Sequence, residues 1–159
     1  MVNWSLFEIT LEVGIMKQVE LHPVEGTIVT SGLQIERRAS ILRSLLAIHG
    51  EKFKETITLI NQVVAQAKRN SIIHGHVFFG GDGKEIKFVQ RNTDQKLTAK
   101  SVSFDAKAML AHAASLREKI VRLQELLSIS NSDLEEFAKV GLILTNKSET
   151  SHKQPNSKT

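Results

Sequence analysis

The sequence predicts a mainly α-helical fold: an antiparallel bundle of about five helices, with a small β-hairpin insertion after the third helix. Apolar residues recur at steps of three and four along most of the chain, which is typical of helices that bury one face. One stretch, between about residues 76 and 102, changes to the pattern of short strands separated by turns. The 159 residues suit a single domain, which we place at residues 1–144.

The first two helices are predicted at about residues 3–18 and 34–48. Ser5 and Glu8 have the spacing of a capping box at the start of the first helix. His22-Pro23 and Gly26 interrupt the helical pattern, so residues 22–32 are interpreted as a connecting loop or a short extended segment.

The third helix is predicted at about residues 54–74, and Gly75 stands where a left-handed C-terminal cap is expected. One face of this helix is a stripe with alternating steps of three and four: Ile57, Ile60, Val64, Ala67, Ser71 and His74. Two strands, 76–79 and 85–90, then flank a glycine-rich turn, and residues 96–102 are a candidate third strand.

The longest helix is predicted at about residues 104–129 and a short one at 133–144, with Ser132 as its N-cap. The seam of the longest helix consists of Met109, Ala113, Leu116, Ile120, Leu123 and Leu127. Residues 145–159 contain no apolar side chain, so we expect a disordered polar tail.

The composition excludes several kinds of site. The chain has no cysteine, which excludes disulfides, thiolate zinc sites and cysteine nucleophiles. His74-Gly75-His76 has no acidic residue nearby at ligand spacing, and the glycine cluster at residues 80–84 lacks the pattern of a phosphate-binding loop. We therefore expect no metal and no cofactor.

The N-terminus has no signal-peptide pattern, and no apolar stretch is long enough to span a membrane. These features predict a cytoplasmic protein without a membrane partner. The net charge of +4 leaves room for a polyanionic partner, although it is a weak signal.

The run Arg69-Asn70-Ser71-Ile72-Ile73-His74 is where chemistry is expected. On a helix, Asn70 and His74 share a face, and Arg69 lies about 7.5 Å from His74 along the axis. A histidine can transfer a proton at neutral pH, an arginine can stabilise a pentacoordinate phosphate, and an asparagine can hold a phosphate oxygen. The trio suits metal-free RNA cleavage, in which the 2′-hydroxyl of the RNA is the nucleophile.

A capping role explains the same residues without catalysis. Arginine and histidine are favoured near a helix C-terminus by the helix dipole, and a His-Gly pair is a common helix end. The dipole would also favour the imidazolium form of His74, which suits a general acid. Spacing alone favours the capping role, and the two roles are compatible.

Arg69-Asn70-x-x-x-His74-Gly75, at the end of a predicted bundle helix, resembles the signature of the HEPN superfamily (higher eukaryotes and prokaryotes nucleotide-binding domain). That signature is an arginine, four to six residues and a histidine, often with a polar residue after the arginine. The order of elements over residues 3–144 also resembles a group of poorly characterised bacterial HEPN-like proteins.

The resemblance implies a helical bundle that forms a homodimer, in which the motifs of two protomers meet. It also implies metal-independent endoribonuclease activity on RNA, with Arg69, Asn70 and His74 as the catalytic residues. Many members act in toxin–antitoxin, phage-defence or RNA-processing systems, where an antitoxin or a defence protein is the partner. Other members are non-catalytic dimerisation or interaction modules, which is the alternative function here.

One departure from the family pattern narrows the function. HEPN toxins paired with a nucleotidyltransferase antitoxin often carry a tyrosine two residues after the histidine, and the antitoxin modifies it. Position 76 is histidine here, and the chain has no tyrosine. Neutralisation by tyrosine modification is therefore excluded.

Overall fold

The computed structural model describes residues 2–67, 76–79, 85–92 and 98–140. Over these residues the protein is mainly helical, as the sequence predicts. The helices are α1 (Val2–Val19), α2 (Pro23–Thr30), α3 (Ile35–Ile48), a 3-10 turn (Gly50–Phe53), α4 (Lys54–Ala67), α5 (Ala106–Leu126) and α6 (residues 131–140).

Four helices surround the hydrophobic core. α1 packs against α3 and α5, and α4 packs against the same two helices, so that the four form a closed ring. Each contributes apolar side chains that are almost fully buried: Phe7 and Leu11 from α1, Ile35, Leu42 and Leu46 from α3, Ile60 and Val63 from α4, and Ile120 and Leu123 from α5. Burial of these side chains is the main source of stability in such a fold.

The segment 22–32, predicted as a loop or an extended segment, contains helix α2, so that prediction is wrong. The His22 side chain accepts a hydrogen bond from the Val24 amide, and the Glu25 carboxylate accepts one from the His22 amide at 3.2 Å. This capping box, with Pro23 in the first turn, starts the helix. Pro23 was predicted to interrupt the helical pattern, but proline is favoured at the first position of a helix, which is its place in α2.

Glycine is needed where α2 crosses α1. A Cβ atom on Gly26 would overlap the Met16 side chain, so a larger residue would require that side chain to move. The end of α2 lies near an earlier turn of α1, where Thr30 interacts with Glu12. α2 therefore runs antiparallel to α1 and returns the chain toward the start of the bundle.

α1 and α5 run in the same direction, so the prediction of an antiparallel bundle is wrong for this pair. Three hydrogen bonds join them in the same order along both helices: Asn3 to the Ala113 carbonyl at 2.8 Å, Gln124 to the Thr10 hydroxyl at 2.8 Å, and Lys17 to the Ser128 carbonyl at 2.6 Å. The reason is α2, because this additional helix reverses the direction of the chain once more than the predicted order of helices does.

α4 and α5 are antiparallel, as predicted. Glu55, in the first turn of α4, binds Arg122 near the end of α5, whereas Gln66, in the last described turn of α4, binds Ser115. The described end of α4 therefore lies toward the beginning of α5.

Two predicted caps differ from the structure. Ser5 lies inside α1, which begins at Val2, so the predicted capping box of Ser5 and Glu8 is wrong. α6 is capped by Ser130 instead of Ser132: the Asp133 carboxylate accepts from the Ser130 amide at 2.6 Å, and the Ser130 hydroxyl accepts from the Asp133 amide. α6 starts two residues earlier than predicted because Ser130 and Asp133 form a reciprocal capping pair.

Three strands lie between α4 and α5 in the chain: β1 (His76–Phe79), β2 (Glu85–Asn92) and β3 (Thr98–Asp105). They form an antiparallel sheet with β2 in the centre. Asp105 ends β3 and caps α5, since its carboxylate accepts from the Ala108 amide at 2.6 Å. The predicted tail, residues 145–159, lies outside the described residues.

Candidate functional site

The three predicted catalytic residues, Arg69, Asn70 and His74, lie outside the described residues. α4 is described as far as Ala67, two residues before Arg69, and β1 begins at His76, two residues after His74. The structure therefore describes the elements that precede and follow the candidate site, α4 and β1. We call the end of the bundle where α4 reaches Ala67 the motif end.

The buried face of α4 differs slightly from the predicted stripe. Thr56, Ile60 and Val63 are almost fully buried, whereas Ile57 and Val64, which the stripe included, are half-buried. Ile60 is confirmed as a core residue. The sequence could not distinguish Val63 from Val64, because adjacent valines fit the helical period almost equally well.

A polar bridge holds α4 against α5 at the motif end. The Lys119 ammonium donates to the side-chain oxygen of Gln66, and the amide nitrogen of Gln66 donates to the Ser115 hydroxyl at 3.2 Å. Asn3, in the first turn of α1, donates to the Ala113 carbonyl on the same stretch of α5. α4 and α1 are thus both tied to the same stretch of α5, and the α4 residue, Gln66, lies three residues before Arg69 in the chain.

This bridge was not predicted from the sequence. Ser115 and Lys119 are four residues apart and therefore share a face of α5 beside the apolar seam, which is the signal that the sequence contains. The identity of their partner depends on how α4 aligns with α5, which only the tertiary structure provides. The bridge fixes the last described turn of α4, and with it the point from which the motif segment departs.

The half-buried ion pair of Glu12 and Arg38 is a second polar cluster, with 3.0 Å between the carboxylate and the guanidinium. Burial raises the pKa of the Glu12 carboxyl, and this effect outweighs the opposing effects of Arg38 and of a hydrogen bond with Thr30. Arg38 also donates to the Thr30 carbonyl at the end of α2. Because the pair joins α1, α2 and α3 inside the bundle, we assign it a structural role.

A shallow groove of about 500 Å³ lies between α4 and α5, lined by Lys54, Glu55, Thr58, Leu59, Gln62 and Arg122. It extends along α4 from Lys54 to Gln62, so its two ends lie about 20 Å and about 8 Å along the helix from Ala67. Its arginine is already paired, since Arg122 binds Glu55 at 3.0 Å and Glu125 at 3.1 Å. The groove is therefore separate from the motif end.

The histidines within the described helical part differ in role. His22 caps α2, whereas His112 lies half-buried within α5. Within the described ranges, no three histidine or acidic residues come together in a way that suits a metal ion. None of the described helices combines the length and the apolar character needed to cross a membrane.

The resemblance to the HEPN superfamily depends on Arg69, Asn70 and His74 and on the order of elements along the chain. In comparisons with known proteins, no family model, no curated protein and no solved structure matches this chain.

Proposed function

We propose that this protein is a metal-independent endoribonuclease of the HEPN type that acts on RNA in the cytoplasm. The observation that carries the proposal is the run Arg69-Asn70-x-x-x-His74-Gly75, which begins two residues after the described part of α4 in a mainly helical chain. In this proposal the three antiparallel strands that follow α4 in the chain form the small β-hairpin insertion of a bundle of about five helices.

The phase of α4 adds support. Its buried residues follow steps of four and three up to Val63, and the same steps continued along the sequence reach Ala67, Asn70 and His74. A helix that keeps this phase brings Asn70 and His74 to the side that α4 turns toward the core. The polar bridge of Gln66 to α5 keeps the preceding turn in place.

The proposed reaction needs no protein nucleophile. A general base removes the proton of the RNA 2′-hydroxyl, whose oxygen attacks the adjacent phosphorus, and a general acid gives a proton to the departing 5′-oxygen. The products are a 2′,3′-cyclic phosphate and a 5′-hydroxyl. His74 serves as acid or base, Arg69 stabilises the charge on the phosphate oxygens, and Asn70 positions the phosphate.

The reaction uses one acid and one base, whereas each chain supplies a single motif histidine. A homodimer in which two motifs meet would provide two histidines and two arginines. An antitoxin or a defence-system protein is the expected partner that controls the activity.

The test is incubation of purified protein with 5′-labelled single-stranded RNA in EDTA, alongside Arg69→Ala and His74→Ala. We expect cleavage to cyclic-phosphate ends, reduced about 10²–10⁴-fold in His74→Ala because general acid–base catalysis contributes that much. We expect a loss of about 10²–10³-fold in Arg69→Ala, since its role is charge stabilisation.

Matched controls are Arg37→Ala and His49→Ala, which change exposed residues of the same types far along the chain from the motif. Both should cleave like the wild type. An inert wild-type protein that is dimeric in solution would favour the interaction module, and cleavage that survives in His74→Ala would rule out the proposed chemistry.

A further inference from the structure

His112 lies on α5 at the motif end, where α4 and α1 are joined to the same stretch of this helix. It is three residues before Ser115, which accepts a hydrogen bond from Gln66 of α4. The next residue, Ala113, accepts one from Asn3 of α1 through its carbonyl. Three residues of an α-helix rise about 4.5 Å, so His112 is one turn from the polar bridge. Its side chain is half-buried.

The side of α5 that carries His112 is turned toward α4. Residues three and four apart on a helix share a face, so His112, Ser115 and Lys119 lie along one strip. Ser115 and Lys119 both bind Gln66, which places this strip against α4. Because α4 and α5 are antiparallel, the step from Ser115 back to His112 points in the direction that α4 takes beyond Gln66.

The chain that continues from α4 reaches the proposed catalytic motif at once. Arg69 is two residues after Ala67, the last described residue of α4, and two residues of any chain span at most about 7 Å. Covalent geometry alone therefore keeps the start of the motif close to the end of α4, beyond which His112 lies on the neighbouring helix.

The proposed reaction needs a second proton-transfer group within reach of the motif. The 2′-hydroxyl of the RNA must lose a proton and the 5′-oxygen must gain one, and a histidine suits either task at neutral pH. Among the histidines of the described helices and their caps, His22 and His49 follow the ends of α1 and α3, at the other end of the bundle. His112 is the one at the motif end.

We propose that His112 is a catalytic residue of this site, the general base that accepts the proton of the RNA 2′-hydroxyl. The role rests on the proposed nuclease function, whereas the position of His112 rests on the contacts of α5 with α4 and α1. The helix dipole suits His74 to the role of the acid, which leaves the role of the base to His112.

The proton balance of the step follows from these two roles. His112 takes the proton, the 2′-oxygen forms a bond to phosphorus, and the bond from phosphorus to the 5′-oxygen breaks. His74 gives its proton to the departing 5′-oxygen, and exchange with solvent returns both imidazoles to their starting forms. Each chain of the proposed dimer then holds its own base and its own acid.

The experiment measures cleavage of 5′-labelled single-stranded RNA by the full chain in EDTA over a range of pH. The wild type should show a bell-shaped profile, because the base must be neutral and the acid protonated. His112→Gln should lower the rate at the optimum about 10²–10⁴-fold and remove the limb in which the rate rises with pH. His74→Ala should remove the other limb.

His112→Ala tests the same role in a way that packing cannot mimic. Free imidazole should restore part of its cleavage, because imidazole can enter the space left by the side chain and accept the proton. Ser115→Ala is the matched control on the same face: it removes a contact of the bridge and should keep both limbs of the pH profile. His49→Gln changes an exposed histidine and should cleave like the wild type. Thermal unfolding of each variant checks that the fold is retained.

Binding of RNA at His112 can be followed without cleavage. RNA with 2′-O-methyl groups lacks the nucleophile and stays intact. The Cε1 proton of His112 is identified in the nuclear magnetic resonance spectrum by its absence from His112→Gln. Its resonance should shift to saturation as this RNA is added, whereas the resonance of His49 should not move.

The possible results separate this inference from the proposed function. Wild-type cleavage with an unchanged rate and pH profile in His112→Gln would overturn the role of His112 and leave the nuclease in place. A slower His112→Gln that keeps both limbs, with no rescue of His112→Ala by imidazole, would make His112 a structural residue. An inert wild-type protein would reject both the nuclease and the base, and a shifted His112 resonance would then leave only an RNA contact.

Discussion

The helical framework and the strand-bearing segment differ in their buried core, their charge and their proposed role in catalysis. The framework, residues 1–67 and 105–140, contains the buried core, and charged residues at its helix contacts are paired, as in Glu12 with Arg38 and Lys17 with Asp133. The segment 68–104 holds the proposed catalytic motif and an excess of positive charge. The difference suggests that stability depends on the framework, while RNA cleavage depends on the segment and, within the framework, only on His112.

The largest expected effect in the framework is that of Leu42→Ala. Leu42 is 0% exposed, and Gly14 lets it approach the backbone of α1. The substitution leaves a cavity and should lower the free energy of unfolding by about 2–5 kcal/mol, measured by urea denaturation followed by circular dichroism. Under conditions where the variant is folded, RNA cleavage per folded molecule should equal that of the wild type.

Ile48→Ala is the control in the same helix, since Ile48 is 78% exposed and should change stability by less than about 0.5 kcal/mol. If Leu42→Ala changed cleavage in the folded state as much as His74→Ala, the division between framework and segment would not hold.

The next effect concerns the half-buried ion pair of Glu12 and Arg38. Arg38→Met removes the partner of a carboxylate whose side chain is 13% exposed and should cost about 1–3 kcal/mol of stability. The double variant Glu12→Leu, Arg38→Met should recover most of this loss, because replacing a buried pair with apolar residues removes both desolvation costs. Arg37→Met, at the adjacent exposed position, should be nearly neutral.

The raised pKa of Glu12 gives the pair a pH dependence. The folded state binds this proton more tightly than the unfolded state. The protonated Glu12 carboxyl therefore contributes stability that is fully present below the ordinary pKa of 4.5 and is lost as the pH rises through the raised pKa. Glu12→Gln should abolish this part of the pH profile. A double variant no more stable than Arg38→Met would contradict the desolvation argument.

The elements that the sequence predicted correctly are those with a strict helical period. The helical period predicts Ile35, Ala39, Leu42, Leu45 and Leu46 on the inner face of the second helix. In α3 four of these five are buried, and Leu45 is half-buried. In the longest helix the seam from Leu116 onward is buried, as predicted. Met109, however, is 37% exposed, because a periodic pattern does not show where a helix extends beyond its neighbours.

The errors arose where a local signal has two meanings. Pro23 and Gly26 are helix breakers in most contexts, but here they start α2 and allow it to lie close to α1. At the candidate site, the motif could be named from residue types alone. The bridge from Gln66 to Lys119 could not, because these residues are 53 positions apart and meet only through the packing of α4 on α5.

The smallest predicted effect is at the exposed end of the framework, where α6 begins. The hydrogen bond from the Ser130 amide, and then the contact with Lys17, lower the pKa of the Asp133 carboxyl below 3.8. Its contribution to stability is therefore present above pH 3.8 and is lost as the pH falls through the lowered pKa.

Asp133→Asn should lower the free energy of unfolding at neutral pH by about 1 kcal/mol, the usual size of a helix-cap effect. The ion pair with Lys17 adds little to this value, because both side chains are about one third exposed. The difference from the wild type should vanish in acid, as urea denaturation at several pH values would show. Glu135→Gln, an exposed neighbour, should show no such trend. Because Asp133 belongs to the framework, RNA cleavage by the folded protein should be unchanged. A loss of cleavage in Asp133→Asn comparable to that in His74→Ala would mean that α6 also takes part in the reaction.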